Sequence, residues 1–153
     1  MRIVDILTVD RVVSVLDVQD KNAALRAMAK LFASTDWELG EEDIYKVLAD
    51  REVVASTGVG SGVAIPHGRV DGLSTMRAAL AICPKSVDFD AIDGEPVRIL
   101  VAVLAPNRHT GDHLKALARI SRLLRDESVR MRLLRAQDAV SLHAIVAEED
   151  ARH

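Results

Sequence analysis

Helical spacing marks the chain at several places. From Lys21 to Ala33 the apolar residues Leu25, Met28, Leu31 and Phe32 recur every three or four positions behind Asp20, whose carboxylate suits an N-cap. A second helix follows from Glu41, Glu42 and Asp43, which place negative charge at its start. Ile44, Val47 and Leu48 form its inner side, and Arg51 falls near its end. Strand signals lie elsewhere. Val12, Val13 and Val15 predict a first strand over Arg11 to Leu16, and Met76 to Ile82 is an apolar run of strand length. Val87 and Phe89 alternate with Asp88 and Asp90, and Val97 to Leu104 is rich in Val, Leu and Ile. Asp93-Gly94 supplies a turn between the last two, and Pro106 ends the last. A further helix starts at Thr110, a suitable N-cap, with Leu114, Leu117, Ile120 and Leu124 along one face. Two short helices, Ser128 to Arg135 and Asp138 to Ala147, close the chain ahead of a charged tail at about 148–153.

Strands and helices interleave, but the three middle strands are joined too tightly for helical crossovers. The pattern therefore predicts an α/β fold with a mixed β-sheet sandwiched between helices, residues 1–153 forming a single domain. With 49% hydrophobic and only 3% aromatic residues, the core must be built from Val, Leu, Ile and Ala. The longest apolar stretch, Ile99 to Ala105, is far too short to span a bilayer, and the N-terminus has no positive region followed by an apolar run, so the expected location is cytoplasmic with no direct membrane insertion. The single Cys83 has no intramolecular disulfide partner, in keeping with a reducing compartment.

A net charge of −3 argues against nucleic-acid binding, which draws its affinity from accumulated Lys and Arg. Lys115, Arg119, Arg122 and Arg125, continued by Arg130, Arg132 and Arg135, form a basic stripe. It reads as a solvated helix face, with docking to an acidic partner as the other reading.

The chemistry concentrates in Ser56 to Arg69. Gly58, Gly60 and Gly62 recur at every second position, so the backbone can take positive φ and turn amides toward an anion. Pro66 stiffens the approach to His67, and Gly68 allows a sharp departure, so the histidine is presented rather than packed. A neutral imidazole is a nucleophile, and a phosphoryl group is the electrophile that suits nearby amides and arginines, for which Arg51 and Arg69 are the candidates. The string is neither a Walker A motif nor a dinucleotide fingerprint. Glycine alternation alone is equally the mark of a hairpin corner. His113 falls in the first turn of its helix, where the macrodipole favours a neutral ring and a nearby anion. His109 and His113 stand four apart, but the intervening Thr-Gly-Asp lacks the glutamate of a zinc-protease helix, so no metal site is expected. His143 and His153 read as solvated.

The runs Asp50-Arg51-Glu52, Ser56-Thr57-Gly58-Val59-Gly60 and Ala64-Ile65-Pro66-His67-Gly68 together resemble the signature, here residues 50–69, of the IIA domains of the bacterial phosphotransferase system, in the mannitol/fructose/nitrogen class. Phe89 to Val97, leading into Ile99 to Pro106, is similar to the nitrogen-type member in particular, and the likeness extends from about Ile6 to about Leu142. The resemblance implies a type-2 IIA fold and a phosphotransferase component without cofactor. His67 would be its phosphoryl acceptor and His113, followed by Leu114 and Leu117, its second active-site histidine. Arg51 would stabilise charge, while Ser56, Thr57, Gly58, Gly60, Gly62 and Arg69 position the phosphoryl oxygens. It further implies a nitrogen-type histidine phosphocarrier protein as donor, and regulatory targets such as potassium transporters or sensor kinases. The alternatives are a IIA component of a fructose or mannitol transporter passing phosphate to a IIB domain, and a non-catalytic anion-binding module.

Overall fold

In the computed structural model, which describes residues 1–108 and 110–152 with the side chain of Thr110 excepted, a 3₁₀ turn at Ile3–Asp5 leads into β1 (Leu7–Val13). Two helices follow, α1 (Lys21–Thr35) and α2 (Glu41–Val54), then three short strands, β2 (Gly58–Gly60), β3 (Val63–Ala64) and β4 (His67–Val70). The long strands β5 (Arg77–Val87) and β6 (Val97–Pro106) precede α3 (Thr110–Arg125), α4 (Glu127–Arg135) and α5 (Ala139–Arg152). The sheet order is β1-β5-β6-β3-β2, with β4 also paired to β6. The β5–β6 and β2–β3 pairs are antiparallel and the others parallel, so the sheet is mixed, as the tight connections require.

Period-2 alternation sorts the side chains into two cores. Ala78, Leu80 and Ile82 of β5 and Ile99, Val101 and Val103 of β6 join Ile120, Leu124, Leu133 and Val146 of α3, α4 and α5 on one face. Ala79, Ala81 and Cys83 with Leu100, Ala102 and Leu104 join Leu25, Met28, Phe32, Ile44 and Leu48 of α1 and α2 on the other. Asp20 caps α1 by accepting from the Ala23 amide at 2.8 Å.

Several elements differ from the sequence expectation, each for a local reason. The first strand lies earlier, because Leu7 and Val12 are its buried anchors while Val15 is exposed. Arg11, inside that strand, is buried and donates to the Ala78 and Ile6 carbonyls across a shift in register. Val87 ends β5 rather than starting a strand of its own. Phe89 is buried in the connection, and Gly94 turns there at φ +74°. On α3 the inner face carries Ala116, Ile120, Leu123 and Leu124, and Leu114 points outward. The side chain of Thr110, the proposed cap, and the whole of His109 and His153 lie outside the described residues.

The charged tail is helix. α5 runs on to Arg152, and Asp150, 1% exposed, accepts from the Ile3 amide at 2.7 Å and from Arg119 Nε at 2.6 Å. Arg132 pairs with Glu148 and Glu149. Part of the basic stripe therefore fastens the last helix to the body. His143 is likewise half-buried, with Nε2 2.9 Å from the Leu7 carbonyl oxygen, rather than solvated. Cys83 is buried, and burial pushes its thiol up to about 11, which removes it from any nucleophilic role. Among the described residues, no helix is long and apolar enough to cross a membrane.

Candidate active site

The segment from Val63 to Val70 lies along one edge of β6 in unbroken offset: Val63 faces Ile99, Ala64 faces Leu100, His67 faces Val103 and Val70 faces Pro106. Pro66 breaks the ladder without shifting the register, its carbonyl accepting from the Val103 amide at 2.9 Å. Alternation then decides where His67 goes. Val63 and Ile65 belong to the core under α3, and His67, two residues on, points to the same face. Ala64 and Val70 belong to the core under α1 and α2. Gly68 on that side passes so close to α2 that an added Cβ would sit 2.2 Å from Val47 Cγ1.

On α3, His113 is 5% exposed at the head of the buried row continued by Ala116 and Ile120. The two imidazoles meet edge to face, with centroids 5.4 Å apart and planes at 88°. Arg51, in the last turn of α2, donates from Nη1 to the Ala55 carbonyl at 2.8 Å. Arg51, Ser56, Thr57, Val59, Ile65, His67, Leu117, Ala118 and Ser121 line one cleft of about 300 Å³. The edge of the sheet is thus where the two helical layers both reach the same imidazole.

His67 Nδ1 lies 2.7 Å from the Ile65 carbonyl oxygen. A carbonyl only accepts, so Nδ1 carries the proton and, in the neutral ring, Nε2 holds the lone pair. Burial lowers the His67 pKa below the ordinary histidine value. The Ile65 bond opposes that, Arg51 adds to it and Glu52 opposes it again, the net direction being down. His113 is pushed down to about 4, first by burial and then by the proximity of His67 and Arg69. Its Nε2 is buried without a hydrogen-bond partner among the described residues. Both rings are neutral near pH 7, so one offers a lone pair and the other a neutral donor or acceptor.

The glycine run builds a hairpin between β2 and β3, with Ser61 at φ 57° and Gly62 at φ 77° as the two turn residues. Gly60 is also at positive φ, and Asp93 Oδ2 accepts from the Ser61 amide at 2.9 Å. The Ser56 hydroxyl, the Thr57 amide and hydroxyl and the Gly58 amide already have partners. Ser56 Oγ donates to the Phe89 carbonyl at 2.5 Å and the Gly58 amide to Ser56 Oγ at 3.0 Å, while Thr57 donates to Glu52 through both amide and hydroxyl. Arg69 is exposed on β4 on the same face as His67. Sequence reasoning passed over Glu52, which is buried, and Asp93, which pins the hairpin. Glu52 had a signal, since it continues the four-residue spacing of the buried Ile44 and Leu48. Among the described residues, no group of three or more His, Cys, Asp or Glu is placed to hold a metal ion.

The layered mixed sheet agrees with the comparisons to known proteins. Residues 5–149 match the family model described as phosphoenolpyruvate-dependent sugar phosphotransferase system, EIIA 2, and the chain belongs to that family. A nitrogen regulatory protein of Bradyrhizobium diazoefficiens is 37% identical over 147 residues, covering 96% of this chain and 95% of the relative. A fructose-specific EIIA component of Haloferax volcanii is 40% identical over 101 residues, covering 66% of each. The crystal structure of nitrogen regulatory protein IIA-Ntr from Neisseria meningitidis superposes with a TM-score of 0.88 at 32% identity, covering 93% of this chain and 97% of that one. Within the family, the chain is similar over nearly its whole length to nitrogen-regulatory members.

Proposed function

We propose that this chain is a cytoplasmic phosphohistidine carrier whose His67 Nε2 accepts a phosphoryl group from a nitrogen-type histidine phosphocarrier protein, and whose phosphorylation state regulates protein partners. The observation that carries this reading is the bond from Nδ1 to Ile65, which leaves the nucleophilic lone pair on Nε2, beside a second neutral imidazole. In the transfer, the Nε2 lone pair forms a new N–P bond as the N–P bond of the donor's phosphohistidine breaks. No proton need move. The positive charge left on the ring is shared with Nδ1–H and held by the Ile65 carbonyl.

Arg51 spreads the charge of the phosphoryl oxygens, and His113, kept neutral by burial, donates to one of them; Arg69 acts from the exposed side. Ser56, Thr57, Gly58, Gly60 and Gly62 serve by shaping the loop that presents these groups. Adding nearly two negative charges at this rim changes which surfaces can dock, as a regulator of potassium transporters or sensor kinases requires.

A second reading, transfer onward to a IIB domain of a fructose or mannitol transporter, draws support from the likeness to the Haloferax fructose-specific component. Reconstitution with phosphoenolpyruvate and purified enzyme I, using the general or the nitrogen-type carrier, separates the two. Faster gain of acid-labile phosphate from the nitrogen-type carrier is expected, and preference for the general carrier turns the assignment toward transport. No acid-labile phosphate from either carrier returns the site to a simple anion-binding role.

A further inference from the structure

Glu52 follows Arg51 in α2, but a helix turns 100° per residue, and the two side chains diverge. Arg51 lines the cleft; Glu52 points inward and is 9% exposed. Its Oε1 accepts from both the amide of Thr57, at 2.8 Å, and the Thr57 hydroxyl. Its Oε2 lies 2.8 Å from Nζ of Lys21, the first residue of α1. Lys21 also reaches Asp90 at 3.4 Å and sits 5.5 Å from the centre of the Phe89 ring. A buried carboxylate without such a partner would be costly, and Lys21 supplies the opposite charge at this site. The Lys21 pKa agrees: burial lowers it, but the hydrogen bond and charge of Glu52, and then those of Asp90, outweigh burial and raise it.

From Thr57 the bonding continues in a single line. The Thr57 carbonyl accepts from the Ile65 amide at 2.9 Å, and the Ile65 carbonyl accepts from His67 Nδ1 at 2.7 Å. Five residues from α1, α2, the loop after it and the histidine arm are therefore linked end to end. The last bond decides which ring nitrogen is free. If the Ile65 carbonyl tilts away, its bond to Nδ1 is lost and the lone pair is shared between the two nitrogens.

We infer that Glu52, braced by Lys21, is a positioning residue that sets the tautomer of His67 through Thr57 and Ile65, and so directs phosphorylation to Nε2. The tautomer part stands on geometry alone; the phosphorylation part rests on His67 being the phosphoryl acceptor. Packing alone does not require a carboxylate at this position, since Ile44 and Leu48 on the same helix face are aliphatic. The Lys21–Glu52 pair joins the start of α1 to the last turn of α2 and fixes the carboxylate that holds Thr57.

The test uses the full chain labelled with ¹⁵N-histidine, reading the ring-nitrogen shifts of His67 at a pH where it is neutral. The wild type is expected to show the Nδ1–H form. Glu52→Ala is expected to shift the tautomer ratio about 10-fold or more toward Nε2–H, in line with loss of hydrogen bonds to a charged group, and to slow phosphorylation by about the same factor. Glu52→Gln keeps an acceptor for Thr57 and is expected to keep most of the Nδ1–H form. Thr57→Val removes only the hydroxyl bond and is expected to move the ratio in the same direction but less, which keeps the test open should Glu52→Ala fail to fold. The His113 shifts serve as the control for general loosening. A wild-type His67 tautomer in the folded variants would show Glu52 to be structural only and overturn the inference. A tautomer shift in the variants of a chain whose wild type takes up no phosphate would instead uphold the positioning role and remove the phosphocarrier reading.

Discussion

His67 and His113 arrive 5.4 Å apart by opposite means. His67 stands on an extended arm at the sheet edge, half-buried, and its orientation comes from directional bonds: Nδ1 to Ile65, Ile65 to Thr57, Thr57 to Glu52. His113 stands on a helix, 5% exposed, and its orientation comes from the packing of α3, with Nε2 lacking a hydrogen-bond partner among the described residues. Directional bonds specify which nitrogen is reactive, while packing specifies only where a ring sits and how hard it is to charge. On the proposed assignment, the reacting group is the one held by hydrogen bonds and the supporting group is the one held by packing. Each arrangement fails in its own way.

The largest break removes the proposed acceptor. His67→Ala is expected to abolish acid-labile phosphate uptake in the reconstituted system while leaving the fold intact, since this ring is only half-buried; mass spectrometry before and after acid treatment reads it. Uptake that persists at wild-type level would move the acceptor elsewhere.

Next comes pH, which should strike the packed ring. A histidine held near 4 when folded, against about 6.5 when unfolded, binds its proton more readily in the unfolded chain between those values. Stability therefore rises with pH through that window and is lost as pH falls from about 6.5 toward 4, by up to about 3 kcal/mol from His113. His67, also lowered, adds to the loss with the same sign. Urea midpoints at pH 7.5 and 4.5 measure this, and His113→Gln should flatten the difference. An unchanged difference would mean that His113 titrates normally.

Removing the cation tests the directional side again. Arg51→Ala is expected to slow phosphorylation by about 10- to 100-fold, the scale of a charge-assisted hydrogen bond, with little effect on stability. An equal slowing by Arg51→Lys would indicate that fork geometry, not charge, is what matters. The smallest effect concerns the arm. Gly68→Ala sets a Cβ 2.2 Å from Val47 Cγ1 and should cost about 1–2 kcal/mol in urea unfolding; a companion Val47→Ala that restores the loss would place the strain at that contact.

Much of this was readable in the chain. The mixed sheet between helices followed from the spacing of Leu25 to Phe32 and the tight links around β5 and β6. His67, His113 and Arg51 were picked out by chemistry, neighbouring glycine and proline, and family likeness. Strands β2, β3 and β4 were missed because they are two to four residues long and made of Gly, Val, Ala, His and Arg, too short for any periodicity. The role of α5 beyond Ala147 was missed because Glu149 and Asp150 read as solvated charge. Only the three-dimensional neighbours Arg132, Arg119 and the Ile3 amide make them interior. Likewise the outward turn of Leu114 reflects where α3 meets the sheet, a rotation that leucine spacing alone does not determine.

The central claim is best tested by the ¹⁵N–³¹P coupling in the phosphorylated, ¹⁵N-histidine-labelled chain. Coupling to Nε2 of His67, with Nδ1 still carrying its proton, is the predicted result. Coupling to Nδ1, or to a ring of any other histidine, would contradict it.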